Sequence, residues 1–486
     1  MKDHFQLRVA GLLFALTLQA CGGGGGGDPA ATPTPSPSPT PSPAPTEVTT
    51  ATADAIALMA ADSLAAHELT AGLGSNEEAR LLAMVAIAAH DAANRAKPHA
   101  ETYLGGATDP TADANSAAAR AAHDVLTAEL PDQLALLDTR LAAIAATVAD
   151  GSAETAGDAL GASVALAMRA ERANDGVAAA LTKLYLPEQS FVTQTPPNYG
   201  YRPNAGEFKR VPVPDSTQSP PYGYPAPAYV GWGSVKPFAL TSGSQFRAAP
   251  PYGAANIAAA IQTPGFLADY KEAKCKGVSA SPTVRGTPVV DCSAAQKRTA
   301  DEAEIAYFWR ESSPKTWGLI AANVNAAKSL AGWERLRLGA LMYTAMNDAL
   351  IASYDSKYTY NFWRPLTAVH FIYLFRAAES LEDWRPFDPV TPATPDYTSA
   401  HAAAGGAAEI VLANFFGDAT AFSVTSSTSP VANKARSFTS FSQAAVENGR
   451  SRVFVGYHFN EAVNAGLTQG RSVASYTLAN RLRVLP

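Results

Sequence analysis

The sequence predicts an all-α protein of two packed helical bundles joined by a long segment rich in proline and aromatic residues. Three observations carry that reading. Alanine-rich stretches set apolar residues at helical spacing, while Val/Ile/Thr alternation and hairpin signals are scarce. The 486 residues are 47% hydrophobic, enough apolar surface for a large core or two fused cores. Between the helical runs, about 174–253, Pro, Gly and aromatics dominate, as in Pro220-Pro-Tyr-Gly-Tyr-Pro-Ala-Pro227 and Val230-Gly-Trp-Gly233. Fixed φ values and this density of rings indicate an ordered segment draped over the bundles.

Residues 1–21 read as a secretory leader, with Lys2 and Arg8 before the apolar stretch Val9 to Leu18. Leu18-Gln-Ala-Cys21 resembles a bacterial lipobox, which implies acylation of Cys21; ordinary secretion with an incidental cysteine is the alternative. Residues 22–49, a glycine run and then Thr-Pro-Ser-Pro repeats, read as a tether. Anchor, spacer and body together predict a lipid-anchored protein of the bacterial cell envelope, on the periplasmic face or the cell surface.

The body divides into an N-terminal bundle at 50–173, the connecting segment at 174–293 and a C-terminal bundle at 294–486. Ser75-Asn-Glu-Glu78 reads as a capping box opening a helix through His90-Asp91. Further helices are expected near 113–129, 132–149 and 153–172, with Pro131 in a first turn. Cys275 and Cys292 are expected to form a disulfide, worth about 3 kcal/mol for a loop of this size. Two buried thiols are the alternative. No Cys/His arrangement has zinc-site spacing. A net charge of −6 argues against a nucleic-acid partner.

That acidity makes a local cationic cluster conspicuous. Three segments supply it: Lys357-Tyr-Thr-Tyr-Asn-Phe-Trp-Arg364-Pro365, Tyr397-Thr-Ser399-Ala400-His401 and Ser451-Arg452-Val-Phe-Val-Gly456-Tyr-His458-Phe459. Lys357 and Arg364, seven apart, are expected on one helix face, ending where Pro365 biases Arg364 from the α region. Ser399 is the expected N-cap of an alanine-rich helix, whose free N–H groups and positive dipole end favour an anion. Arg452 and His458 are six apart and converge only if Gly456 breaks the helix before a new one begins near Asn460. Guanidinium and ammonium groups match the oxygens of a tetrahedral oxyanion.

The pattern Lys-x6-Arg-Pro, Ser-x-His, Ser-Arg-x3-Gly-x-His-Phe resembles that of the vanadium-dependent haloperoxidases and their relatives, the type-2 phosphatidic acid phosphatases. The likeness extends through Asn347-Asp-Ala-Leu-Ile-Ala-Ser-Tyr-Asp-Ser-Lys357 and covers about 300–480. It implies vanadate as cofactor, with phosphate as the competing oxyanion. Lys357, Arg364 and Arg452 would neutralise the oxygens, and Ser399 and the Ala400 N–H would bond to them. His458 would be the axial vanadium ligand and His401 the acid/base, with Lys357 polarising the bound peroxide. The implied partners are hydrogen peroxide, a halide and small organic acceptors.

Three departures from the family pattern stand out. Ala400 stands where glycine is usual. Ala462, four residues after His458, stands where phosphatases place an aspartate behind their nucleophilic histidine. Tyr354 and Thr394 occupy the positions linked to halide preference, so the halide is open. Two alternatives accompany the haloperoxidase reading: a phosphatase working through a phospho-histidine, and a non-catalytic oxyanion-binding envelope lipoprotein. His90-Asp91, His123 and His370 lie in helical patterns with no partner motif and are read as structural.

Overall fold

A computed structural model describes residues 44–185, 206–208, 213–214, 222–223, 226–279, 292–372, 375 and 384–486. The leader, Cys21 and most of the tether lie outside the described residues. Among those described, the fold is all-α as predicted, with only two short antiparallel ladders, Val213–Pro214 with Tyr222–Gly223 and Phe422–Val424 with Arg436–Phe438.

The first bundle comprises α1 (Thr50–Glu68), α2 (Ser75–Ala96), α3 (Ala114–Glu129), α4 (Leu134–Ala145) and α5 (Ser152–Arg172). Asp113 caps α3 through Asn115 and Ser116 and also accepts from the backbone of Thr46 at 3.0 Å. Thr49 caps α1, its N–H donates to Asn115 at 2.8 Å, and Val48 is buried. The last residues of the 22–49 tether are thus bonded into the bundle. The capping box is shifted from the expected frame. Gly74 is the N-cap and Glu77 closes the box, because Glu78 is buried and accepts the Ser312 hydroxyl. His90 and Asp91 are fully buried 3.0 Å apart, and Asp91 accepts the N–H groups of Tyr103 and Leu104, a structural role.

The connecting segment contributes α6 (Val177–Thr182), α7 (Ile257–Ala260) and α8 (Pro264–Lys276). The second bundle comprises α9 (Ala300–Phe308), α10 (Ser313–Ala327), α11 (Gly332–Tyr360), α12 (Pro365–Phe371), α13 (Ala400–Phe416), α14 (Phe441–Phe454) and α15 (Asn460–Asn480). The 29-residue α11 packs on α2 with one flank and on α13 and α15 with another. The two bundles consequently share one continuous apolar core, with Met84 and Leu126 in the same cluster as Met342, Val411 and Val473. α13 lies so close to α15 that a methyl on Gly470 would stand 1.9 Å from the carbonyl oxygen of Ala403. Only glycine fits there.

Backbone contacts fasten the connecting segment to α11 and its exit. Asp348, wholly buried on α11, accepts the N–H groups of Phe238, Ala239 and Leu240 at 2.9, 2.6 and 3.1 Å. Gly206 and Phe208 bond across the strip Asn361–Trp363. Cys275 and Cys292 are disulfide-linked with Cα atoms 5.8 Å apart. Just beyond α8, Gly277 abuts Gly456, and its carbonyl accepts the Phe387 N–H at 2.7 Å. No helix among the described residues is long and apolar enough to cross a membrane.

Candidate oxyanion site

Lys357 lies in the last turn of α11, about 1% exposed, and its Nζ donates to the carbonyls of Pro395 and Asp396 at 2.7 and 3.1 Å. The helix ends at Tyr360 and Asn361 turns left-handed (φ 52°, ψ 39°). Arg364 is therefore not on the same helical face as Lys357, contrary to the seven-residue expectation. It is extended at the N-cap of α12, and the turn at Asn361 brings it back toward the lysine. Its Nε and Nη2 donate to the carbonyl and hydroxyl of Thr394, both at 2.7 Å, and its Nη1 donates to the Tyr457 carbonyl at 2.9 Å and to His458 Nε2 at 2.8 Å.

Ser399 caps α13 as expected, accepting from Ala402 N–H at 3.4 Å, and is itself pinned by donation from its N–H to the Ala462 carbonyl at 2.8 Å. Ala400 packs against the cluster of Trp232, Ile351 and Tyr354. In the first turn, His401 meets the Ser313 hydroxyl through Nδ1 at 2.9 Å, and its Nε2 is buried without a partner.

Arg452 sits in the last turn of α14, over the ring of Tyr457 at 4.9 Å, with Nη1 on the Trp309 carbonyl at 3.3 Å and Nε unpartnered. Gly456 then takes φ +87°, and the N–H groups of Tyr457 and His458 both return to the Arg452 carbonyl at 3.0 and 3.2 Å. A reversal of this kind is what glycine permits after a helix. It makes a six-residue separation converge. Behind His458, Asp396 places Oδ1 2.9 Å from Nδ1, an approach oblique to the ring plane's N–H direction.

Electrostatics tie the pieces together. Burial lowers the pKa of His458 well below the usual range, and Arg364, Lys357, Arg452 and His401 lower it further. Four groups from four elements thus act electrostatically on one imidazole. Burial likewise lowers Lys357 strongly and takes Arg452 down to about 10, while it raises Asp396 against the pull of Arg364 and Lys357. Lys357, Arg364 and Arg452 form no ion pair among the described residues. Buried positive charge without a partner is costly, and an anion relieves the cost. Unpartnered His401 Nε2 and Arg452 Nε supply polar atoms for it. The donor set therefore fits a tetrahedral oxyanion such as vanadate or phosphate.

Lys357, Arg364, Ser399, His401, Arg452 and His458 are accordingly brought to one place. Tyr354 lies in an aromatic cluster with Tyr229 and Trp232, and Thr394 is occupied by Arg364. His123 faces Asp124 and Asp138, and His370 faces the Trp384 carbonyl, away from the site. Sequence reasoning missed two residues, Ser313 behind His401 and Asp396 behind His458. Asp396 directly precedes the Tyr397–His401 segment, yet nothing local in the sequence marks its direction.

Residues 337–485 match the family model of the VCPO second helical-bundle domain. No curated protein matches the chain in sequence. Among solved structures, a bacterial vanadium-dependent iodoperoxidase superposes with TM-score 0.68 at 21% identity, over 90% of this chain and 98% of that one. A bacterial vanadium-dependent chloroperoxidase superposes in its apo form with TM-score 0.61 at 16% identity, over 84% of this chain and 94% of that one. Its holo form gives 0.59 at 16%, over 84% and 92%. The segment that carries all six candidate residues thus matches the VCPO second helical-bundle domain, and the chain is similar in fold to the bacterial vanadium-dependent haloperoxidases.

Proposed function

We propose that this protein is a vanadate-dependent haloperoxidase that oxidises a halide with hydrogen peroxide to a hypohalous species. The observation that carries the reading is the set of three buried cations that form no ion pair among the described residues and that all act on His458. Bound vanadate would supply Lewis acidity toward peroxide without itself changing oxidation state. Lys357, Arg364 and Arg452 would hold the anion's charge, Ser399 and the Ala400 N–H would donate to its oxygens, and His458 Nε2 would offer it a lone pair. His401, held at Nδ1 by Ser313, keeps Nε2 free to give or take a proton. Tyr354 and Thr394 lie at the halide side of this reading, and hypohalous product would pass to small organic acceptors. The leader and Cys21 support attachment to a bacterial envelope by lipid.

One observation favours a second reading. Ala462 removes the aspartate expected of a phosphatase, but Asp396 brings a carboxylate to the same imidazole from another element. A histidine so backed can also attack phosphorus, with His401 protonating the leaving alcohol.

The test uses the soluble body from residue 47, freed of metal by chelation and assayed with peroxide and iodide, bromide or chloride. Activity that appears with orthovanadate and falls with added phosphate is expected. Hydrolysis of a chromogenic phosphate without peroxide, with no halide oxidation, would transfer the assignment to the phosphatase. Oxyanion binding with neither activity would leave a binding protein.

A further inference from the structure

The tautomer of the histidine at the centre of the site can be deduced from its two neighbours. Arg364 is a donor only, so its Nη1 at 2.8 Å requires a lone pair on His458 Nε2. A neutral imidazole then carries its proton on Nδ1. The Asp396 carboxylate stands 2.9 Å from that nitrogen as a charge contact outside hydrogen-bond geometry, Nδ1 has no hydrogen-bond partner among the described residues, and both side chains are almost wholly buried. Asp396 is itself fixed: its N–H donates to the Phe362 carbonyl at 2.8 Å, and its own carbonyl accepts from Lys357 Nζ.

We infer that Asp396 is the positioning residue of His458, holding the ring as the Nδ1–H tautomer so that the Nε2 lone pair faces the oxyanion site. The carboxylate does from the loop before Ser399 what position 462, here an alanine inside an apolar cluster, cannot do from α15. The arrangement is that of a carboxylate behind a ligating or nucleophilic imidazole, which orients the ring and raises its basicity. Lys357 and Arg364 belong to the same device. The lysine holds the Asp396 backbone, and the arginine holds Nε2.

The inference concerns the ring in the anion-free protein and rests on the proposed function only for the identity of the anion. The test is nitrogen NMR of ring-labelled histidine in vanadate-free protein, with the His458 signals assigned by difference against His458→Gln. One protonated Nδ1 and one unprotonated Nε2 are expected in the native chain. Asp396→Ala should shift His458 toward the Nε2–H form and weaken binding of orthovanadate and of inorganic phosphate by about 10–100-fold, the usual effect of removing such a partner. Asp396→Asn, of the same shape, keeps an acceptor without charge and should preserve the tautomer with a smaller loss of affinity; it also guards against misfolding of the alanine variant. A native Nε2–H tautomer, or unchanged tautomer and affinity in folded Asp396→Ala, overturns the inference. If both respond while no halide is oxidised, the positioning role stands and the peroxidase reading falls.

Discussion

Ser313, the first residue of α10, puts its hydroxyl 2.9 Å from Nδ1 of His401, the second residue of α13. The bond fixes which edge of that imidazole looks into the site. Ser313→Ala should therefore lower turnover about 5–10-fold, the effect of losing one neutral hydrogen bond, while vanadate affinity stays within twofold. His401→Ala should remove halide oxidation and keep anion binding. Steady-state kinetics beside a vanadate titration separate the two effects. An affinity loss as large as the turnover loss would mean that the serine supports the anion cradle instead.

In the proposed function Arg364 and Arg452 would each present a buried guanidinium to the anion, and charge-assisted bonds contribute about 1.5–3 kcal/mol apiece. Replacing either by alanine should weaken orthovanadate binding at least tenfold. Arg364→Lys is the gentler probe, because Arg364 also bonds Thr394 and Tyr457. Calorimetric affinities that change less than about tenfold in folded Arg452→Ala would place the cluster outside the binding site.

Glu78 links the first bundle to α10, and burial raises its carboxyl from the ordinary 4.5 to about 7. The folded protein holds this proton more tightly than the unfolded chain does. Its contribution is complete below about pH 4.5 and disappears as pH climbs to about 7, a change on the order of 3 kcal/mol. Glu78→Gln keeps an acceptor for Ser312 without a titrating proton. Its melting temperature should overtake that of the native chain between pH 5 and 8; parallel curves across that range would contradict the assignment.

The Cys275–Cys292 bond closes a separation of 17 residues, for which chain entropy gives about 3 kcal/mol. A Cys275→Ala/Cys292→Ala variant should melt lower than the native protein and should be indifferent to reductant. Because Gly277 abuts Gly456 and bonds Phe387, the same variant should also bind vanadate more weakly. Unaltered melting of the native chain after full reduction would show that the bridge contributes nothing.

What could be foreseen divides along physical lines. Ser399 as a cap, Gly456 as a break and the start of α15 at Asn460 follow from local chemistry, and they appear where the chain chemistry put them. The fold class was legible for the same reason, since helical spacing is a short-range pattern. Lys357 and Arg364 were placed together by the wrong route, because the αL turn at Asn361 comes from how the helix end packs. Glu78 was assigned to a cap while the structure spends it on Ser312, a contact across bundles. Ser313 and Asp396 act across 88 residues and between separate loops, and nothing in the residues around them states that distance. Family pattern singled out the candidate site residues, but the carboxylate beside His458 shows only in the folded chain.

The shared helix α11 has a consequence for how such a protein can evolve or be cut. Its residues 337 onward are recognisable as one homologous unit, yet that boundary falls inside the helix, whose other flank is sealed against α2. A crossover or truncation there would bare the apolar flank of α11 and strip Asp348 from the loop it anchors. Exchange of the C-terminal half between relatives is therefore expected to succeed only when the junction lies before Gly332 and the α2 surface travels with it. Modularity in the sequence does not make a separable module in the fold.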